Sequence, residues 1–213
     1  MQFRPSRRSD PDKELPVQFG EQRTLDHDVT LHPEAVCFEG MADAVVVKDR
    51  ATGWIEIFPI ASKSTESTIG ALRGFLAPGE ALMAVWADGS GEITGACEAL
   101  NWPLQRSTPG RPQTNGVAER AVRACLEGTR TIIEQSGLNK KWWSRACRHC
   151  TSVYNCTAKD EHGATAWTRR FNSAPAFPMI PFGSLAHYKT GTKKHNAGDN
   201  KFGPSSSKGW FMG

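Results

Sequence analysis

The sequence lacks any long hydrophobic run. No stretch approaches the roughly 18 consecutive apolar residues that would predict a membrane-spanning helix. The N-terminus also lacks the apolar core of a secretory signal peptide. Hydrophobic residues make up 38% of the 213 residues, enough for one domain of ordinary size with extended ends. These absences argue against a membrane or secreted protein and predict an intracellular one.

Paired metal-ligand motifs and a disulfide framework are missing as well. Cys147 and Cys150 have the spacing of a zinc knuckle, but no second ligand pair accompanies them. Most of the six cysteines fall inside stretches with apolar periodicity, which favours reduced, buried thiols. They are Cys37, Cys97, Cys125, Cys147, Cys150 and Cys156.

Charge is distributed unevenly along the chain, although the net charge is only +4. Residues 103–213 contain 17 Lys/Arg and 6 Asp/Glu, a balance of +11. Residues 1–102 contain 9 Lys/Arg and 16 Asp/Glu, a balance of −7. An acidic half joined to a basic half fits a metal site beside a polyanion, and it also fits an ordinary solvated surface.

The apolar pattern predicts alternating strands and helices over residues 22–158, between a flexible leader at 1–21 and an irregular basic extension at 159–213. Asp49 and Gly53 bracket a predicted hairpin turn. The extension is predicted to be either a truncated small β unit, with strands at 185–188 and 209–213, or a disordered tail. The predicted strands are 22–30, 42–48, 54–60, 81–86 and 102–106, and the predicted helices are 64–76, 91–101, 114–136 and 140–156. This order predicts a mixed α/β fold.

The segment from Ser107 to Arg123, STPGRPQTNGVAERAVR, joins a Pro/Gly-rich loop directly to the helix at 114–136. The first turn of this helix carries a single carboxylate, Glu119, with arginines on both sides of it. Such a combination suits a site that holds a phosphate backbone near a metal ion. One stripe of the helix is predicted to face the sheet: Ala118, Ala121, Val122, Cys125, Thr129, Ile132 and Ile133.

The run PGRPQTNGVAER resembles the loop and helix that carry the last acid of the integrase catalytic core in retroviruses and retrotransposons, the DDE polynucleotidyl transferases. The resemblance covers about residues 25–156. A weaker similarity at the C-terminus, PFGSLAHYK and KFGPSSSKGWFMG, points to copia-type Pol polyproteins. The resemblance implies a ribonuclease-H-like fold, in which a mixed sheet is flanked by helices.

By this resemblance, the catalytic and metal-binding acids are Asp26, Asp88 and Glu119. Asp28 is the alternative for the first acid, because residues two apart on a strand share a face. The alternative interpretations are an ordinary Asp-Gly turn for Asp88 and a helix N-terminal acid for Glu119. Between Asp88 and Glu119 lie 30 residues, fewer than is usual in the family.

The resemblance also implies the cofactor and the partners. Three converging acids would bind Mg²⁺ or Mn²⁺, with two ions expected. The predicted partner is DNA, with no membrane and no small-molecule substrate, and self-association and a nuclear location are expected for an integrase. Predicted nucleic-acid contacts are Arg111, Gln113, Asn115, Arg120 and Arg123, together with Lys140 and Lys141 from a basic helix face.

These features predict a retrotransposon integrase core that processes DNA ends and transfers strands with a divalent metal. Two alternatives remain open at this point. The first alternative is a non-catalytic nucleic-acid-binding relic of such an integrase. The second is a ribonuclease-H-like nuclease that cuts DNA without joining it.

Overall fold

A computed structural model of the chain describes residues 23–26, 36–78, 80, 82–106, 116–189 and 206–213, with 23–26 described by their backbone. The predicted leader at 1–21 lies outside the described residues. The strands are β1 (Arg23–Asp26), β2 (Asp43–Asp49), β3 (Ile55–Ile60), β4 (Val85–Ala87), β5 (Leu104–Arg106), β6 (Leu185–Tyr188) and β7 (Ser207–Trp210). The helices are α1 (Thr65–Phe75), α2 (Gly91–Leu100), α3 (Gly116–Ser136), α4 (Trp143–Thr157) and α5 (Ala166–Phe171), and a 3-10 turn (Lys140–Trp142) precedes α4.

Strands β1 to β5 form one mixed sheet in the order β3-β2-β1-β4-β5. The β1–β2 and β2–β3 pairs are antiparallel, whereas β1–β4 and β4–β5 are parallel. A mixed sheet flanked by helices was predicted from the sequence, and the structure confirms it. The pairing places the short strand β1 at the centre of the sheet.

The β2–β3 connection is the tight turn that the Asp-x-x-x-Gly pattern predicts. The Asp49 carboxylate accepts hydrogen bonds from the backbone N–H and the hydroxyl of Thr52, at 2.9 and 2.8 Å. The backbone N–H of Asp49 donates to the carbonyl of Trp54, at 2.8 Å. Gly53 has a φ of 75°, a left-handed conformation that disfavours other residues. These bonds satisfy a fully buried aspartate and fix the register of the hairpin.

Two hydrophobic cores lie on opposite faces of the sheet, because alternate side chains of a strand point to opposite sides. Val45 and Val47 of β2 belong to the core that α1 and α2 cover. Ala44 and Val46 belong to the core that α3 and α4 cover. The position of each helix is therefore fixed by one face of the same strand.

Helix α3 buries the stripe that its sequence predicts. Its buried residues are Ala118, Ala121, Val122, Cys125, Thr129 and Ile133. The cysteine prediction is also confirmed, since all six cysteines are free thiols and five are buried.

The apolar spacing of α4 predicts a packing face made of Trp143, Ala146, Cys147, Cys150, Val153 and Tyr154. Trp143, Ala146 and Cys147 are buried as predicted. The prediction was wrong for Tyr154, which is 43% exposed, whereas Asn155 is 1% exposed. The Asn155 amide donates to the Ile55 carbonyl at 2.8 Å and accepts from the Ile55 N–H at 3.0 Å. A polar residue faces the sheet here because it satisfies the backbone of edge strand β3.

Two other element predictions need correction. The apolar run at 81–86 predicts a longer strand than β4, whose pairing with β1 and β5 confines it to Val85–Ala87. Helix α5 was not predicted, because six residues are too few to show a helical period. A capping box between Thr165 and Thr168 begins it.

Part of the C-terminal extension packs on the sheet domain. Ala166 of α5 is buried in the core on the α1 side, and Phe182 is buried in the core on the α3 side. Strands β6 and β7 pair antiparallel in a separate two-stranded sheet. Within the described part of the chain, no helix is long and apolar enough to cross a membrane.

Candidate active site

Asp26 and Asp88 lie at the ends of two neighbouring parallel strands. The register pairs Arg23 with Val85 and Thr24 with Trp86. The last residue of β1 is Asp26, two positions after Thr24. The first residue after β4 is Asp88, two positions after Trp86. Strands β1 and β4 therefore end side by side, and Asp26 and Asp88 stand at the ends of these two neighbouring strands. Asp28 lies outside the described residues.

Asp88 forms part of the turn that leads into α2. Its carboxylate Oδ1 accepts a hydrogen bond from the backbone N–H of Ser90 at 3.0 Å, and the residue is exposed. Gly89 takes a left-handed φ of 83°, which lets the chain leave β4 sharply. This is the Asp-Gly turn that was the alternative interpretation, and it leaves the carboxylate facing solvent.

Glu119 lies in the first turn of α3 and is exposed. It is at the end of an open groove of about 440 Å³ along this helix, which we call the α3 groove. The residues that line the groove recur every three or four positions: Glu119, Val122, Arg123, Leu126, Glu127 and Arg130. The groove thus combines two exposed carboxylates, of which Glu119 is at the end, with two exposed guanidinium groups.

Helix α3 approaches the sheet where β1 ends. It packs against β1 and β2. Asp26 pairs in register with Val46, and Val46 shares a core cluster with Ala121 and Val122 of α3. Glu119 precedes these two helix residues by two and three positions. The backbone therefore brings the first turn of α3 to the face of the sheet on which Val46 lies.

The predicted basic residues do not form one continuous track. Arg123 lines the α3 groove, whereas Arg120 lines a different cavity, on the side of α3 that faces α4. Lys140 and Lys141 follow the far end of α3, whose last residue, Ser136, lies about 25 Å along the helix from Glu119 at 1.5 Å per residue. The structure thus brings Arg123 close to Glu119, and it separates Lys140 and Lys141 from it.

The basic helix face predicted from Lys140, Lys141, Arg145 and Arg148 is partly neutralised. Arg145 of α4 forms an ion pair with Glu39, and Ser144 donates a second hydrogen bond to the same carboxylate at 2.8 Å. The Ser144 hydrogen bond and the Arg145 guanidinium lower the pKa of Glu39 below its usual value. The Lys141 Nζ lies 5.9 Å from the ring centroid of Phe38, which is in the same loop as Glu39. This face of α4 therefore fastens the loop before β2.

The predicted contacts Arg111, Gln113 and Asn115 lie outside the described residues. A residue that the sequence did not single out, Arg106, ends β5 level with Ala87. Its side chain lies against Gly89, and its guanidinium is 3.5 Å from the Thr94 hydroxyl. Since parallel strands end at one edge of a sheet, the strand order was the signal that could have identified a cation beside Asp88.

The carboxylates of this site have the chemistry of a Mg²⁺ or Mn²⁺ site, because both ions prefer oxygen ligands and open coordination positions. Asp88 and Glu119 are exposed, and neither forms an ion pair with another described residue. Among the described side chains, no group of three possible ligands lies close enough together to hold a metal. Asp26 is described only by its backbone.

Comparison with known proteins identifies the relatives of this chain. No family model matches the sequence. A stretch of 82 residues is 30% identical to the "Retrovirus-related Pol polyprotein from transposon TNT 1-94" of Nicotiana tabacum. The match covers 36% of this chain and 6% of that polyprotein, so the chain corresponds to a small part of its length. The similarity to a retrotransposon Pol polyprotein confirms the resemblance seen in the sequence.

Solved structures show which fold the chain has. The catalytic core of BIV integrase matches with a TM-score of 0.52 and 14% identity, over 72% of this chain and 95% of that one. The HTLV-2 integrase catalytic core in complex with magnesium matches with a TM-score of 0.55 and 12% identity, over 71% of this chain and 96% of that one. A simian T-cell lymphotropic virus intasome in complex with PP2A regulatory subunit B56 gamma matches with a TM-score of 0.58 and 15% identity. This match covers 94% of this chain and 73% of that one. The predicted ribonuclease-H-like integrase-core fold is confirmed.

Proposed function

We propose that this chain, which is similar to a retrotransposon Pol polyprotein and has the fold of retroviral integrase catalytic cores, processes DNA ends and joins them to target DNA. The observation that carries the proposal is the parallel register of β1 and β4. In that register the last paired residues are Thr24 and Trp86, and Asp26 and Asp88 each follow them by two positions. Glu119, in the first turn of the helix packed on β1, is the third acid of the proposed site.

The proposed role of the three acids is to hold divalent metal ions, Mg²⁺ or Mn²⁺, at the sheet edge. Two such ions activate an attacking oxygen and stabilise a leaving oxygen in phosphoryl transfer. Asp88 suits this role because one carboxylate oxygen is held by the Ser90 N–H, which orients the group. Glu119 suits it because the side chain is exposed at the start of α3, where a substrate phosphate has access. The magnesium in the HTLV-2 core structure supports this assignment.

The proposed DNA contacts begin in the α3 groove. Arg123 and Arg130 lie one and three turns beyond Glu119, and both are exposed. Their guanidinium groups suit contacts with successive backbone phosphates, which give affinity without reading sequence. Arg111, Gln113 and Asn115 are proposed to contact DNA from the loop before the helix. We further propose that the chain works on DNA in the nucleus and as several copies. The similarity to an intasome and to the trimeric form of the HTLV-2 core supports the self-association.

A strand-transfer assay on a short labelled duplex tests the proposal. The wild type should give joined products with Mg²⁺ or Mn²⁺ and none with a chelator present. Glu119→Gln should abolish joining, because it removes a metal-binding charge but keeps the side-chain size. Glu127→Gln is the matched control, since Glu127 lies in the same groove two turns farther along.

Each outcome identifies a different protein. Joined products that disappear only in Glu119→Gln would support an integrase. Metal-dependent cutting without joining would indicate a ribonuclease-H-like nuclease. If the wild type and Glu119→Gln both bound DNA and neither reacted under any metal condition, the chain would be a non-catalytic relic.

A further inference from the structure

A second cavity lies on the side of α3 opposite the α3 groove. It measures about 220 Å³ and is enclosed by β2, the start of β3, α3 and α4. Among the described residues, its polar wall contains two cations and no carboxylate. The polar and thiol-bearing residues of the wall are Lys48, Arg120, Cys125, Cys150, Thr151 and Tyr154.

Lys48 and Arg120 face the same space, and no described carboxylate lies beside them there. Neither side chain forms an ion pair or a hydrogen bond with another residue of the described ranges. Burial, and then the positive charge of Arg120, lower the pKa of the half-buried Lys48 ammonium. Two cations held together in a partly enclosed space create a positive potential that an anion would relieve.

The thiols of the cavity do not supply the missing negative charge. Burial raises the pKa of Cys125 to about 12, so this thiol is protonated at neutral pH. Burial also raises the pKa of Cys150. The Thr151 hydroxyl donates to the carbonyl of Arg148 at 3.0 Å, whereas the Tyr154 hydroxyl is available as a donor on the exposed rim. The wall therefore offers donors and positive charge to a ligand.

We propose that this cavity, between Lys48 of β2 and Arg120 of α3, is a binding site for a phosphate group. The volume is below the roughly 300–1,000 Å³ of pockets for drug-sized ligands, which favours a single small anion. The Arg120 guanidinium offers a planar pair of donors and Lys48 a point charge, a combination suited to phosphate oxygens. The phosphate belongs either to a free anion or to the end or backbone of a DNA strand.

The first test measures stabilisation of the folded protein by inorganic phosphate. Thermal unfolding is followed in phosphate and in chloride at equal ionic strength, for the wild type, Lys48→Met and the control Arg169→Gln, whose arginine is paired with Asp160 at the surface. We expect phosphate to raise the unfolding midpoint of the wild type and of Arg169→Gln. Lys48→Met should bind phosphate about tenfold more weakly, because it keeps the aliphatic stem and loses one charge-assisted contact. An equal response to phosphate and chloride, or an unchanged response in Lys48→Met, would overturn the proposal.

A structural role for Lys48 predicts a different result. If Lys48 only stabilised the fold, Lys48→Met would unfold more easily without phosphate. We expect its phosphate-free midpoint to stay level or rise, since the substitution removes the repulsion from Arg120. Arg120→Gln should reduce the phosphate response in the same way as Lys48→Met, which tests the second cation independently.

The source of the phosphate is distinguished by competition. A 5′-phosphorylated oligonucleotide and the same oligonucleotide without that phosphate are titrated against inorganic phosphate. Stronger competition by the phosphorylated strand would identify a terminal phosphate, and equal competition would identify the strand backbone. Competition by neither would identify a free anion. The phosphate response is measured without metal ions and without DNA turnover, so failure of this site and failure of the proposed integrase activity are separable.

Discussion

Arg170 of α5 is held by Glu80, which lies between α1 and β4. The guanidinium Nη2 is 2.7 Å and the Nε 3.2 Å from the two carboxylate oxygens of Glu80. The guanidinium carbon also lies 4.6 Å from the ring centroid of Trp54. The Arg170 side chain is only 5% exposed. One buried cation therefore joins the C-terminal helix to two parts of the sheet domain.

Arg170→Gln should lower the free energy of unfolding by about 3 kcal/mol, because removing one partner of a buried pair leaves the other charge uncompensated. The neighbouring Arg169 pairs with Asp160 at the surface, where both side chains are at least 30% exposed. Arg169→Gln should therefore cost less than about 1 kcal/mol. Urea unfolding of both variants measures the difference. Equal losses would show that Arg170 does not join α5 to the domain.

The crossing of α3 and α4 is tight at Gly128. A Cβ atom at this position would lie 2.4 Å from the Cys150 sulfur. Gly128→Ala should destabilise the protein by about 1–3 kcal/mol through overpacking, although alanine favours a helix.

Gly70 in α1 is the matched control for Gly128, since no atom lies within 4 Å of a Cβ added there. Gly70→Ala should stabilise the protein by about 0.5–1 kcal/mol. Adding Cys150→Ala to Gly128→Ala should restore part of the lost stability. A stabilising Gly128→Ala would contradict the close helix contact.

Glu39 should make the stability of the fold dependent on acidic pH. Because Ser144 and Arg145 lower its pKa in the folded state, Glu39 contributes stability above its unfolded pKa of about 4.3. That contribution is lost as the pH falls through the folded pKa. Glu39→Gln should be less stable than the wild type at pH 7, by less than about 1 kcal/mol, and the difference should shrink on acidification. Urea unfolding between pH 3 and pH 7 measures it, and a constant difference would contradict this role.

Arg123 should contribute one phosphate contact to DNA binding. Each neutralised phosphate adds about 0.9 to the slope of log affinity against log salt on duplex DNA. Arg123→Gln should therefore reduce that slope by about one. Arg169→Gln should leave the slope unchanged, because Arg169 lies on a different helix, α5, and is paired with Asp160. An unchanged slope in Arg123→Gln would place the DNA outside the α3 groove.

The sequence predicted those parts of the fold that local patterns determine. The Asp49–Gly53 turn and the buried stripe of α3 follow from residue types at fixed spacings. The extent of β4 does not, because its pairing with β1 and β5 selects three residues from a longer apolar run. Helix α5 was missed because six residues are too few to show a helical period, and its contact through Arg170 is with Glu80, 90 residues away in the sequence.

The candidate site shows the same limit. The sequence order and the family resemblance together suggested Asp26, Asp88 and Glu119, whereas the parallel pairing of the two strands that carry the aspartates appears only in the structure. Lys48 and Arg120 are 72 residues apart and follow different periodic patterns, so no local pattern predicts the cavity that they share. The separation of Lys140 from Glu119 depends on the length of α3. Each of these relationships is a product of tertiary packing.

The central claim, that Asp26, Asp88 and Glu119 form one metal site, is tested most directly by titrating Mn²⁺ into the protein and measuring the bound ion by electron paramagnetic resonance. The wild type and the control Glu127→Gln should bind Mn²⁺ equally well. Asp26→Asn, Asp88→Asn and Glu119→Gln should each bind it at least tenfold more weakly, since each removes a charged oxygen ligand. If all three variants bound Mn²⁺ as the wild type does, the proposed site would be wrong.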